Sequence, residues 1–306
     1  MRTDLLRTGI SMPTISSPPP LLKVSYSIKQ IKKNVWKWKN ENGVFSVKKY
    51  PSEQQAEKIR FIHDKLQYME DSFVLPVMES PQLDFIIQPW FTGTHTVNYS
   101  NEEDRRAVYS LLTRLHKTNE IIAWEDSKVL YAFNLITKWQ NRLVKMKEIS
   151  FFVESFIGVN NTNMLLMYGD MALKDMKPFD MRDRTLLHGD VVHHNFLSDG
   201  SAYKIIDFDL AVIGPKEMES ILWMHRVLSE IDYDIHFLMS EFPMLEKIVR
   251  DHKEAMMYPN ELYREWLYAF ALPAERKQKF IDQLVPYTNK ALTEWPNLCY
   301  NLSKLK

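Results

Sequence analysis

Little in this chain of 306 residues ties it to a disulfide framework, a membrane or a polyanion. Its single cysteine, Cys299, excludes an intramolecular disulfide and suits a reducing compartment. No motif surrounds that thiol, so a packed or idle side chain is expected there. Lysine plus arginine number 39, as do aspartate plus glutamate, so net charge is zero and no overall field recruits nucleic acid or an anionic bilayer. No apolar run approaches the roughly 18 to 20 residues needed to span a membrane. The first 22 positions carry Arg2 and Arg7 but no apolar h-region, which argues against a secretory signal. No signal-directed secretion, transmembrane segment, nucleic-acid partner or internal repeat is therefore expected. What is present supports a sizeable core: 45% of residues are hydrophobic, enough for one two-lobed unit or two domains. Residues 1–22 read as a leader ending in the stiff Ser16-Ser17-Pro18-Pro19-Pro20 linker.

The chemistry concentrates between His188 and Asp209. His188-Gly189-Asp190 is followed by Asn195 and then by Lys204-Ile205-Ile206-Asp207-Phe208-Asp209. An acid, an amide five positions on and a second acid closing an apolar run suit a metal-bound polyphosphate. Asp190 would take a proton from an attacking hydroxyl, and Asn195 and Asp207 would ligate Mg2+, a hard cation that prefers oxygen. Phe196-Leu197 and Ala202 to Ile206 are strand-like and flank Asp199-Gly200, a hairpin turn signal. Folding back there sets Asn195 opposite a residue between about Lys204 and Asp207 and brings amide and acid within one ion's reach. His193 and His194 are adjacent, with no Cys or third His nearby, which disfavours a zinc site.

His-Gly-Asp-x-x-x-x-Asn with Ile-Asp-Phe-Asp resembles the signature of the aminoglycoside phosphotransferase and choline kinase families, relatives of the protein kinases. The resemblance implies a two-lobed α+β fold of protein-kinase-like type, with an antiparallel sheet in a small N-terminal lobe and a large, mostly helical C-terminal lobe. On that plan residues 23–92 form the small lobe with its hinge, and residues 93–306 the helical lobe. Asp190 would be the catalytic base, Asn195 and Asp207 the Mg2+ ligands and ATP the donor. Trp139-Gln140-Asn141-Arg142-Leu143 and Leu187 to Leu197 further resemble the spore coat-associated kinase-like proteins of the CotS and YutH type, so the expected location is the cytoplasm or the spore coat.

Val35 to Lys39 and Val44 to Lys48 flank Asn40-Glu41-Asn42-Gly43, a hairpin whose Asn-Gly tolerates positive φ. In the resembled fold a lysine of the third strand meets the nucleotide phosphates. Lys48 fits that position, and Lys49 points to the opposite face because strand side chains alternate. Ser52 and Gln55 form a capping box opening a helix with Ala56, Ile59, Ile62 and Leu66 on its apolar face. The resemblance asks that helix for a glutamate to clamp the lysine: Glu57 first, Glu53 second. Asp84 to Gly93 resembles the hinge, where main-chain groups near Gln88 and Trp90 would meet the adenine edge. No glycine occurs between Val24 and Gly43, where a phosphate-covering loop is expected, and Lys29, Lys32, Lys33 and Asn34 stand there instead.

Ser100-Asn101-Glu102-Glu103 is a second capping box before Val108, Leu111, Leu112 and Leu115, and His116 reads as a packing histidine at that helix's end. Further helices are expected over Leu130 to Ile149, Phe151 to Tyr168, Ile221 to Phe242, Met244 to Met257, Asn260 to Leu272 with Asn260 as N-cap, and Pro273 to Leu292. Trp223, His225, Asp232, Asp234, Tyr263, Trp266 and Tyr268 are candidates to line an acceptor pocket, although aromatic residues at helical spacing usually form core. Asp209 would lend charge near the metal or brace its ligands. The expected activity is ATP- and Mg2+-dependent phosphoryl transfer to a small-molecule hydroxyl. Two alternatives stay open: a kinase-shaped structural component of a bacterial spore coat, with other coat proteins as partners, and a sensor that binds ATP without turnover.

Overall fold

The computed structural model describes residues 27–69 and 72–305. The Pro-rich leader and the first residues expected in the opening strand lie outside the described residues. The class is α+β, and the chain divides into two compact units, neither of them a continuous stretch.

One unit comprises residues 27–132 and 185–213. Four antiparallel strands lie in sequence order: β1 (Ser27–Lys32), β2 (Val35–Asn40), β3 (Gly43–Lys49) and β4 (Phe85–Pro89). Pairing of Asn40 with Gly43 makes Glu41 and Asn42 the turn residues, one step earlier than an Asn-Gly turn. Only Gly43 has positive φ, at 137°, while the Asn40 side chain accepts from the Asn42 amide at 2.8 Å and so closes the turn without a left-handed Asn. Alternation sets Trp36, Phe45, Val47, Phe85 and Ile87 into one cluster, with Ile28 and Trp38 against it. Each buried ring or branched chain contributes roughly 2 kcal/mol by leaving water. The same alternation turns Lys48 away from that cluster, whereas Lys49 reaches Asp84 at 3.8 Å.

Helix α1 (Glu53–Leu66) begins where the capping box places it, Ser52 accepting from the Gln55 amide at 3.3 Å, and buries Ala56, Ile59, Ile62, His63 and Leu66. Helix α2 (Glu102–Lys117) buries Val108, Leu111, Leu112 and Leu115. Its cap is Asn101, not Ser100: Asn101 Oδ1 accepts from the Asp104 amide, and the Ser100 hydroxyl is spent on Asn98. Short strands complete this unit: β5 (His95–Thr96), β6 (Thr185–Leu187), β7 (Phe196–Ser198), β8 (Tyr203–Ile205) and β9 (Val212–Gly214). Strands β5, β7 and β8 form one sheet, and β6 pairs with β9.

The other unit, Phe133–Arg184 with Gly214–Lys306, is helical. Its helices are α3 (Leu135–Glu148), α4 (Ser150–Asp175), α5 (Lys216–Leu228), α6 (Ile235–Glu241), α7 (Glu246–Asp251), α8 (Lys253–Met256), α9 (Asn260–Ala271) and α10 (Ala274–Lys304). Helix α4 is broken at Gly158, whose φ of 78° no helix accommodates. Asn260 is the first residue of α9 and not its cap; its carboxamide is pulled inward, accepting from Trp139 Nε1 at 2.8 Å and from Arg142. Trp139 stacks on Tyr258 with ring centroids 4.4 Å apart. Gly169 is required by close approach, since a Cβ there would lie 2.1 Å from the Tyr263 hydroxyl. Of the acceptor-pocket candidates, Trp223, His225, Tyr263 and Trp266 are buried core. Asp234 caps α6, and Asp232 pairs with Lys290. Tyr268 is exposed.

Candidate active site

The site is assembled inside the first unit, around the end of β6. Leu186 and Leu187 are buried, and His188 continues inward with no exposure. His188 Nε2 lies 2.9 Å from the Ile206 carbonyl and its Nδ1 accepts from the Asp190 amide at 3.3 Å, a pair of bonds that selects the Nε2–H tautomer. The imidazole therefore fastens the acid's loop to the strand leading to Asp207. Gly189 has φ 79°, and a Cβ there would sit 2.1 Å from the Leu210 carbonyl oxygen. Backbone conformation and crowding both demand glycine between the histidine and the acid.

Asp190 is half-buried and starts a tight loop closed by the Val192 amide on its carbonyl at 2.9 Å. The Asn195 side-chain Nδ2 donates to that same carbonyl at 2.9 Å and to the Asp190 carboxylate at 3.4 Å. The bonds fix the flip of the carboxamide and turn its oxygen away from Asp190, as a cation ligand requires. After Asn195 the chain runs through β7, turns at Asp199-Gly200 and returns as β8. Asp199 ties the turn, accepting from the amides of Ser201 at 2.9 Å and Ala202 at 2.8 Å. Asn195 falls opposite Ile206, whose amide donates to its carbonyl at 2.9 Å, inside the interval expected from the hairpin. Asp207 follows at once.

Asp207 adopts the left-handed conformation, φ 65° and ψ 65°. Such a conformation costs a non-glycine residue about 1 kcal/mol and is tolerated best by Asn and Asp. It is held by Phe208, fully buried edge-on to His188 at 4.8 Å and to His63 at 5.4 Å. Pinning Phe208 leaves the acids on either side directed at Lys48. The Lys48 ammonium donates to Asp207 Oδ1 at 2.9 Å and to Asp209 Oδ2 at 2.5 Å, and the Tyr50 hydroxyl donates to Asp209 Oδ1 at 2.8 Å. Burial alone would push the Asp207 carboxyl up, but Lys48 outweighs it and holds the group below the usual carboxylate range. Burial and the adjacent Asp207 charge raise Asp209. Burial works against the Lys48 charge, yet the two carboxylates prevail and raise its pKa.

The two glutamates of α1 point elsewhere. Glu57 and Glu53 are exposed on α1. The residue of α1 that reaches the site is Lys58, whose ammonium donates to the Asp209 carbonyl at 2.5 Å and the Ala211 carbonyl at 3.4 Å. Burial, reinforced by Lys48, lowers the Lys58 pKa. Gln88 uses its side-chain amide on the Leu75 carbonyl at 3.1 Å, and the Trp90 amide is given to Val44 at 2.8 Å. Lys37 lies over the Trp90 ring, 4.3 Å from its centroid. Tyr50 and Lys58 were not foreseen: neither lies in a motif, and only the pairing of α1 and β3 with a loop some 150 residues away reveals them.

A model of the phosphotransferase enzyme family matches residues 27–221, well over half of the chain. The chain belongs to that family. Among solved structures, it is similar to an aminoglycoside phosphotransferase from Alicyclobacillus acidocaldarius, with 14% identity over 96% of this chain and 100% of that one and a TM-score of 0.67. The AMP-bound complex of a spectinomycin phosphotransferase is also similar (14% identity, 88% and 96% covered, TM-score 0.59). So is the choline kinase LicA of Streptococcus pneumoniae (12% identity, 90% and 95% covered, TM-score 0.52). At such identities the shared feature is the fold, here kinase-like. A search of curated proteins returned no match.

The donor set of this family member fits Mg2+. Among the described residues no three His, Cys, Asp or Glu side chains gather to hold a metal alone. Asp207 offers carboxylate oxygens beside a lysine ammonium, and Asn195, paired with the residue before Asp207, offers a carboxamide oxygen; such donors suit a cation whose remaining ligands come from phosphates and water. No described helix is long and apolar enough to cross a membrane.

Proposed function

We propose that the chain transfers the γ-phosphoryl group of ATP, in an Mg2+-dependent reaction, to a hydroxyl of a small molecule. One observation carries the reading: Lys48 is clustered with Asp207 and Asp209 across 159 and 161 positions of sequence, on the loop whose preceding strand is registered against Asn195 and thereby tied to Asp190. In this reading Asp190 orients the acceptor hydroxyl and takes its proton, with Asn195 setting the carboxylate's direction. Lys48 donates to phosphate oxygens, a charge-assisted contact worth most in a half-buried site. Asp207 and Asn195 would hold Mg2+, which when bound would neutralise charge on the phosphates. The small-molecule acceptor is supported by family membership and by relatives that are named for aminoglycosides, spectinomycin and choline.

The test is label transfer from γ-labelled ATP across a panel of aminoglycosides, choline and other hydroxyl compounds. Asp190→Asn is expected to cut transfer by about a thousandfold while nucleotide binding persists. A wild-type protein that binds no ATP with Mg2+, or an Asp190→Asn variant as active as wild type, would overturn the reading.

A second reading is favoured by one feature. The β1–β2 turn is Lys33-Asn34, with Asn34 at φ 62° in a position glycine usually takes, so side chains limit how closely backbone amides approach a phosphate. Together with the resemblance to spore coat-associated kinase-like proteins, this supports a structural component of a spore coat that associates with other coat proteins. A thermal-shift titration with ATP and Mg2+ separates the two, because the structural reading expects no nucleotide-induced stabilisation.

A further inference from the structure

We propose that Asp209 is the positioning residue for Lys48, the task the family resemblance assigns to a glutamate of α1. The inference rests on the phosphotransferase reading above. Among the described residues the carboxylate partners of Lys48 are Asp207 at 2.9 Å and Asp209 at 2.5 Å, both on the loop after β8. In that reading Asp207 belongs to the cation. A lysine anchored to Asp207 alone would compete with the metal for the same oxygens and lose its anchor when the metal bound. Asp209 removes the conflict, since Lys48 keeps the closer partner while Asp207 is released.

Asp209 is itself fixed from three directions. Its Oδ2 meets Lys48, its Oδ1 accepts from Tyr50 at 2.8 Å, and its carbonyl accepts from Lys58 at 2.5 Å. The Tyr50 ring also lies under the Lys48 ammonium, 5.0 Å from centroid to nitrogen, so one residue grips both members of the pair. Lys58 directly follows Glu57 on α1. The helix thus sends a cation to the site in place of a carboxylate, and that cation braces the loop bearing Asp209.

The experiment is calorimetric titration of ADP and of adenosine, each in EDTA and in Mg2+, on wild type and Asp209→Asn. The substitution preserves shape and removes charge. ADP affinity is expected to fall about tenfold in both media, the loss of one charge-assisted hydrogen bond. Adenosine, which carries no phosphate for Lys48, is expected to bind both proteins equally. A loss confined to Mg2+ would make Asp209 a metal ligand and overturn the proposal. So would equal losses for ADP and adenosine, no loss at all, or a wild type that binds ADP only with Mg2+. A wild type that binds no nucleotide under any condition would bring down the phosphotransferase reading as well. Should Asp209→Asn not fold, Tyr50→Phe decides, with an expected loss of about threefold for ADP alone; unchanged ADP affinity would overturn the proposal.

Discussion

Replacing Gly189 by alanine tests how the acid's loop is built. Two independent costs arise at this position. The residue sits at φ 79°, a conformation that charges an alanine roughly 1 to 2 kcal/mol, and its new Cβ would lie 2.1 Å from the Leu210 carbonyl oxygen. Relief needs a movement of about 1 Å in backbone that neighbours Asp190 on one side and Asp209 on the other, an overpacking cost of roughly 1 to 3 kcal/mol. The sum is about 2 to 5 kcal/mol. Gly200→Ala is the matched control, because Gly200 has φ 87° with nothing within 4 Å of a built Cβ. It should lose only the conformational part, roughly 1 to 2 kcal/mol. Urea unfolding of the three proteins measures both, and nucleotide titration of Gly189→Ala should show a weakened site where Gly200→Ala does not. A Gly189→Ala variant no less stable than Gly200→Ala would refute the argument from crowding.

Further predictions concern caps and pH. Asn101→Ala should destabilise by about 1 kcal/mol through loss of the α2 cap, whereas Ser100→Ala should change stability by a few tenths; the reverse order in urea midpoints would restore Ser100 as cap. Burial lowers the pKa of His63 and of His225 to about 4, against an unfolded value near 6.5. The unfolded chain therefore binds protons through this window that the native chain refuses. Stability is full above about pH 6.5 and falls as pH drops toward 4, by roughly 2 kcal/mol per histidine at pH 5. His225→Leu should flatten that slope between pH 7.5 and 5, and an unchanged slope would contradict the burial argument.

What was legible in the sequence was local. The alternation in β2 and β3, the Ser52 cap, the hairpin between Asn195 and Asp207 and the apolar faces of α1 and α2 each follow from residues within a few positions of one another. Where reading failed locally, a side chain had found a better partner: Asn40 closes its turn by taking the Asn42 amide, and Asn260 is drawn to Trp139 and Arg142 instead of capping α9. The interior of the site was less accessible. Lys48 was separable from Lys49 by strand period alone, but nothing near Glu57 or Lys58 in sequence says which of the two α1 turns toward the loop after β8. Tyr50 likewise acquires its partner only when β3 is laid beside that loop.

Thermal stabilisation of wild type and Asp207→Ala by ATP with Mg2+ tests the central claim most directly. With ligand at a hundred times its Kd, the wild type should gain about 2.7 kcal/mol. Asp207→Ala should gain almost none, and Asp190→Ala should keep most of the gain. Equal stabilisation of wild type and Asp207→Ala, or none in wild type, would contradict the account.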